Sequence, residues 1–286
     1  MKTSLNRRRF LQAGLLGSTA LGGGLLGTSA QAAVTKAGRE AFDGLKLGIA
    51  SYTYRKFTLE QAITMTKQAG LKYINLKDIH LPMKSSREEL QAAHKKVEEA
   101  GLVLMGGGVV AMKNEEGGIR AAFEYARDAG FPTIVAAPVP EALDLVEKMA
   151  KEFDIRIAIH NHGPGDNNFP SPYDVFKAVK DRDSRLGLCI DIGHTVRNGI
   201  DPAEAAQQCA SRLYDLHVKD ETRAAGDGKP TEVGRGVIDI VALFKVLLGM
   251  KFPYHVGLEY EAHESDPQPG VRESIGYLGG VLAAIG

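Results

Sequence analysis

The chain has 286 residues, with 35 lysines and arginines set against 35 aspartates and glutamates, and only two cysteines. A chain this long buries a large core without covalent staples, and two cysteines make no disulfide framework. Charge neutrality leaves no basic footprint for nucleic acid, and no Walker, nucleophile-elbow or dinucleotide fingerprint is present.

The first 32 residues read as an export signal. Asn6-Arg7-Arg8-Arg9-Phe10-Leu11-Gln12 resembles the twin-arginine motif, and an apolar, glycine-rich stretch runs from Ala13 to Leu26. Ala30-Gln31-Ala32 is a small-x-small cleavage signal, so the mature chain is expected to start near Ala33. The competing reading is a basic anchor that is never cut. The apolar stretch is too short and too rich in glycine for a comfortable span, so no stable membrane insertion is expected. The predicted location is the periplasm. Removing residues 1–32 takes away Lys2, Arg7, Arg8 and Arg9 and no acid, turning the 35/35 balance into 31 basic against 35 acidic residues. The 254 residues that remain match the ~250 of one β/α barrel.

From Leu47 onward, apolar runs alternate with amphipathic stretches. Strands are predicted at Leu47–Ser51, Tyr73–Lys77, Leu102–Gly106, Thr133–Ala137, Ile155–His160, Leu186–Asp191, Tyr214–Lys219 and His255–Tyr260. Thr58 and Ser86 are candidate helix N-caps. Gly70, Gly101 and Gly130 each close a helix just before a strand, as a left-handed C′ position favours. Eight strands alternating with eight helices predict a single (β/α)8 TIM barrel over 33–286, with a doubly wound sheet as runner-up. In a barrel, function sits on the loops that follow the strands. The loop after the fifth strand, His160 to Pro170, and that after the seventh, Asp220 to Gly236, are the long polar ones.

Four strand runs in the second half end in a residue that can bind a metal. They are His160, Asp191, His217 and Glu259, roughly 30 residues apart along the chain. Barrel closure would bring two imidazoles and two carboxylates to one mouth, a mixed nitrogen–oxygen site for a divalent metal ion such as Mn, Mg, Zn or Co. One such residue alone would as readily be a hydrogen-bonded rim residue. Four at equivalent positions point to a metal.

Asp191-Ile192-Gly193-His194, His217-Val218-Lys219-Asp220, Gly234-Arg235-Gly236 and Glu259 resemble the motifs of the xylose isomerase-like barrel superfamily, over essentially all of residues 45–286. That superfamily holds sugar isomerases and epimerases, inosose dehydratases, keto-glycoside lyases and the endonuclease IV group. The resemblance implies metal-ligand roles for Asp191, His217 and Glu259, and a substrate or further-metal role for His194. It also implies a small-molecule carbohydrate substrate. One position departs from the pattern. Sugar epimerases usually carry a glutamate where this chain has His160, and that glutamate is both ligand and one of two bases.

The remaining candidates are cations and rim residues. Lys77 and Lys219 sit at strand ends, poor places for a solvated charge, and each could equally pair with Asp78, Asp220 or Asp191. Lys77, His162 and Arg235 are read as substrate-binding; for His162 and His194 the alternative is to orient a metal ligand. For Arg235 the alternative is plain loop structure. Glu261 is read as facing away from Glu259. The expected chemistry is proton abstraction next to a carbonyl, with Glu259 as base and Lys219 or His194 relaying the proton. Epimerisation, isomerisation and elimination share that step, and His160 shifts the balance some way toward a lyase or dehydratase. An endonuclease IV-like nuclease and a non-catalytic sugar-binding protein are the weaker alternatives. The oligomeric state is left open, a homo-oligomer included.

Overall fold

The computed structural model describes Phe42 and residues 44–286. The predicted export signal, residues 1–32, lies outside them. Among the described residues no helix is long and apolar enough to cross a membrane.

The eight barrel strands are β1 (Lys46–Ala50), β2 (Tyr73–Leu76), β3 (Val103–Met112), β4 (Thr133–Pro138), β5 (Arg156–His160), β6 (Leu186–Asp191), β7 (Leu213–Val218) and β10 (His255–Leu258). They pair in parallel and close in the order β1-β10-β7-β6-β5-β4-β3-β2. The principal helices between them are α1 (Leu59–Gln68), α2 (Arg87–Glu99), α3 (Glu116–Ala129), α4 (Leu143–Phe153) and α5 (Pro172–Val179). Beyond β6 come α6 (Ile192–Arg197) and α7 (Pro202–Gln208), then α8 (Ile240–Gly249) and α9 (Gln268–Ile285). Local chemistry sets several boundaries. Thr58 and Ser86 make full capping boxes with Gln61 and Glu89, and Gly130 closes α3 at φ 71°.

Strand alternation divides the apolar residues into two cores. In β5, Ile157 and Ile159 join the large layer between strands and helices, while Ala158 belongs to a small cluster with Val135, Cys189 and Tyr214. Each fully buried isoleucine or leucine of the large layer contributes roughly 1.5–3 kcal/mol. His160 shares the side of Ala158 two residues along, and so points into the barrel rather than toward the helices. The interior also holds a buried pair, His255 Nδ1 and Asp215 Oδ1, 3.4 Å apart. A Cβ at Gly48 would stand 2.6 Å from His255 Nε2, so this pair needs glycine beside it.

Two elements depart from the sequence-based reading. The third strand was expected to stop at Gly106. Instead β3 runs on to Met112, with a register shift between Gly107 and Val110 that absorbs the irregularity. The loop after β7 carries a two-residue antiparallel hairpin, β8 (Asp220–Glu221) with β9 (Pro230–Thr231). Fully buried Asp220 ties the two ends of this loop together. Its Oδ2 accepts the backbone N–H groups of Gly234 and Gly236, and its Oδ1 accepts those of Glu221 and Ile238.

Candidate metal centre

The register of the barrel brings the ligand-type residues together. Asp191 is the partner of His217 across β6 and β7, and His160 the partner of Cys189 across β5 and β6. The Glu259 N–H donates to Val218 O at 2.8 Å, extending the β10 ladder by one residue past its last strand position. All four side chains are buried, and one ligand atom from each lies within 4.8 Å of every other. His160 Nε2 is 3.2 Å from His217 Nδ1 and 3.3 Å from Asp191 Oδ2. His217 Nδ1 is 3.2 Å from Glu259 Oε2. Bonds of ~2.0–2.2 Å to one central ion would separate adjacent ligand atoms by about 3.0–3.5 Å. The donor set therefore fits a divalent cation. Asp191 Oδ2 adds a second sign of fit, being fully buried with no hydrogen-bond donor aligned on it.

The electrostatics follow from one lysine. Lys219 Nζ donates to Glu259 Oε2 at 2.7 Å and to Glu261 Oε1 at 2.5 Å, and stands 2.9 Å from Asp191 Oδ2. Burial alone would raise the Asp191 carboxyl, but Lys219, with His194, outweighs it and holds the group well below the carboxylate range. Burial is likewise overcome at Glu259, by His217 and Lys219. Burial pushes His160 down to about 3, which leaves it neutral with a lone pair to offer. At His217 burial also acts downward, but Cys189 and Glu259 prevail and raise it. A cation seated there would have to displace that proton.

The other sequence-predicted residues fall into two groups. His162 and His194 gather at the cluster. Their rings lie 4.5 Å and 5.8 Å from that of His160, centroid to centroid, and His194 donates its backbone N–H to Asp191 Oδ1 at 2.8 Å, capping α6. Lys77 and Arg235 are engaged elsewhere. Lys77 Nζ donates to Val109 O at 2.7 Å and is 3.7 Å from Asp78. Arg235 is exposed and forks onto Glu273 of α9 at 2.5 and 2.6 Å. It lines an open cleft of about 650 Å³ with Glu232, His263, Glu264 and Asp266, and none of the four ligand-type residues borders that cleft. His80 is buried between Ser51 Oγ and Tyr54 O, a packed position rather than a surface one.

Glu261 does not face away from Glu259 as read from the sequence. Residues two apart share a face of an extended chain, and Glu261 reaches the same ammonium as Glu259. Glu221 is the residue that sequence reading missed. It is 2 % exposed, and its Oε2 is buried without a partner. Burial raises its carboxyl from an ordinary 4.5 to about 7, against the pull of Arg197 and Lys219. The sign of the resulting pH effect is fixed. Between pH 4.5 and 7 the folded chain holds a proton that the unfolded chain gives up, so stability falls as pH rises through that window. Melting curves at pH 5 and pH 8 should show wild type losing several degrees more than Glu221→Gln. Parallel losses in the two proteins would refute this account of Glu221.

The family described as xylose isomerase-like TIM barrel matches residues 58–280. The chain belongs to that family. Among solved structures it is 25% identical to an uncharacterised protein from Parabacteroides distasonis, at a TM-score of 0.64, covering 82% of this chain and 98% of that one. It is similar in fold to L-ribulose 3-epimerase, with 16% identity, TM-score 0.69 and coverage of 84% and 95%. It is also similar in fold to 3-keto-D-glucoside 4-epimerase from E. coli, with 15% identity, TM-score 0.64 and coverage of 82% and 98%. A comparison with curated proteins found no match.

Proposed function

We propose that this barrel is a divalent-metal-dependent carbohydrate enzyme that abstracts a proton next to the carbonyl of a non-phosphorylated keto-sugar, giving epimerisation or isomerisation. The observation that carries the reading is the buried set His160, Asp191, His217 and Glu259, with ligand atoms within 4.8 Å of one another at the C-terminal mouth of the barrel. The sugar-epimerase folds among its structural neighbours agree with it.

His160 Nε2, His217 Nδ1, Asp191 Oδ2 and Glu259 Oε2 would hold the ion. When bound, it supplies Lewis-acid polarisation of the substrate carbonyl, worth several kcal/mol. Glu259 is the base, since Lys219 and His217 keep its carboxyl ionised. Lys219, hydrogen-bonded to that carboxylate, would return a proton on the base's own side, which serves isomerisation. Epimerisation needs a donor on the opposite side, a role proposed for His194. His162 and His194, tilted and edge-on against the ring of His160, are proposed to orient substrate hydroxyls. Asn161 fixes this wall. Its Oδ1 accepts the Asp191 N–H at 3.0 Å and its amide donates to Thr195 Oγ1 at 3.2 Å.

A second reading, elimination from a keto-sugar or keto-glycoside, is favoured by one specific feature. Neutral His160 stands where a second basic carboxylate would make the site symmetrical, and Glu261 and Lys219 gather beside Glu259 instead. Incubating the metal-loaded protein with keto-hexoses and 3-keto-glycosides in deuterated water separates the two. Deuterium at the carbon beside the carbonyl with inverted configuration supports the epimerase, and release of the aglycone supports the lyase. No exchange with any of these sugars would defeat both.

The site of action is proposed to be the periplasm, on the strength of Arg7-Arg8 and the Ala30-Gln31-Ala32 signal. Changing Arg7 and Arg8 to lysine keeps the charge but should hold nearly all the protein in the cytoplasm. Periplasmic recovery at the wild-type level would show that the pair is not read as an export signal.

A further inference from the structure

The ammonium of Lys219 and the imidazoles of the cluster compete for the same atoms. Asp191 Oδ2 faces His160 Nε2 at 3.3 Å and Lys219 Nζ at 2.9 Å. Glu259 Oε2 faces His217 Nδ1 at 3.2 Å and Lys219 Nζ at 2.7 Å. A divalent cation held by the four residues would draw on the two oxygens that already neutralise this lysine. Two positive charges sharing two oxygens in a buried site repel, and each weakens the hold of the other.

The lysine has somewhere to go. Of the three carboxylates within its reach, Glu261 alone stands outside the ligand-type set, and its side chain is 29% exposed where those of Asp191 and Glu259 are 0% and 9%. The stem of Lys219 runs across Gly193, the second residue of α6. A Cβ there would stand 2.6 Å from Lys219 Cγ and Cδ and 3.0 Å from Glu221 Oε1. Glycine is what lets this stem pass so close to α6, beside Glu221, whose Oε2 has no partner. The charges also sum correctly. Three carboxylates, one ammonium and one divalent cation come to zero, with both imidazoles neutral.

We propose that Lys219 is a resident counter-charge for the site, which contends with the divalent metal for Asp191 Oδ2 and Glu259 Oε2 and yields toward Glu261 when the metal binds. The proposal rests on the metal-site reading above and assigns Lys219 a task before any chemistry begins. Without the ammonium, three carboxylates would lie side by side, two of them buried, and the mouth of the barrel would fold against their repulsion. With it, the chain folds first and takes up metal afterwards, at a cost in affinity that the lysine itself sets.

Calorimetric titration of the purified full-length protein with Mn²⁺ tests this, using wild type, Lys219→Met, Glu261→Gln and Asp191→Ala. Lys219→Met should bind Mn²⁺ at least about tenfold more tightly than wild type, because the competitor is gone. Its metal-free melting temperature should fall, and Mn²⁺ should restore it by a larger increment than in wild type. Glu261→Gln removes the seat to which the ammonium yields, and should bind Mn²⁺ several-fold more weakly. If Lys219 merely positions the carboxylates, Lys219→Met binds equally or less tightly, and the proposal is overturned. Should Lys219→Met fail to fold, Glu261→Gln decides alone, and unchanged or tighter binding in it overturns the proposal. Wild type that takes up no Mn²⁺ would overturn the metal site and this inference together. One equivalent bound by wild type, lost in Asp191→Ala but not tightened in Lys219→Met, overturns the inference alone.

Discussion

Glu259→Gln is expected to lower turnover by at least ~100-fold, the usual lower value of a general base, while leaving most of the metal in place. The substitution keeps the side-chain volume and an oxygen at the cluster, but removes the negative charge and the basicity. Both roles converge on one atom. Oε2 lies 3.2 Å from His217 Nδ1 and accepts from Lys219 at 2.7 Å. Burial alone would protonate this carboxyl, and only the cationic neighbours keep it ionised. Metal content should fall less than turnover, because His160, Asp191 and His217 remain. The measurement is exchange of the carbon-bound substrate proton with deuterated solvent at saturating metal. Exchange at the wild-type rate would remove Glu259 from the base role and leave Lys219 as the leading candidate.

The four ligand-type residues were legible in the sequence because barrel geometry converts a one-dimensional rule into a site. An apolar run of about five residues ends at the barrel mouth, so its last polar residue points at those of its neighbours. That rule holds for His160, Asp191 and His217, each the last or next-to-last residue of its strand. It extends to Glu259, whose backbone continues the ladder one step beyond β10. Glu261 was misread, because residues two apart share a face of an extended chain rather than oppose one another, and it reaches the ammonium that Glu259 holds.

What the sequence concealed was of a different kind. Glu221 and the pair Asp215–His255 are buried polar groups whose signal is purely tertiary. No local pattern separates a glutamate in a polar loop that folds inward from one that stays in water. Gly48 and Gly193 are equally silent in one dimension, since each is required by the side chain of a distant residue. Gly106-Gly107-Gly108 misled in the opposite sense. The strand was ended at the first of these glycines, but here they allow β3 to shift register against β4 and to approach the ring of Phe131 closely. The pairing of the Arg235 guanidinium with Glu273 is likewise tertiary and has no local signal.

Asp191→Ala should lose metal and activity together, and in this it differs from Glu259→Gln. Asp191 does three things at one position. Its Oδ2 is the oxygen at the centre of the cluster, 3.3 Å from His160 Nε2. Its Oδ1 caps α6 by accepting the His194 N–H at 2.8 Å. Its charge shares Lys219 with Glu259. Alanine abolishes all three, so metal recovered after gel filtration should fall below a tenth of an equivalent, and exchange activity below detection. The lost cap adds about 1 kcal/mol of instability, which in a chain of this size moves the melting temperature by roughly 2–4 °C. Asp191→Asn separates these effects. Its amide oxygen still caps α6 at nearly the cost of wild type, yet it brings no charge to the cluster. Asp191→Asn should therefore melt close to wild type in the absence of metal while binding Mn²⁺ at least about a hundredfold more weakly. If Asp191→Asn instead retained a full equivalent of metal after gel filtration, the carboxylate would not be a ligand. The buried His160–Asp191–His217 arrangement would then be a purely structural network, held together by Lys219.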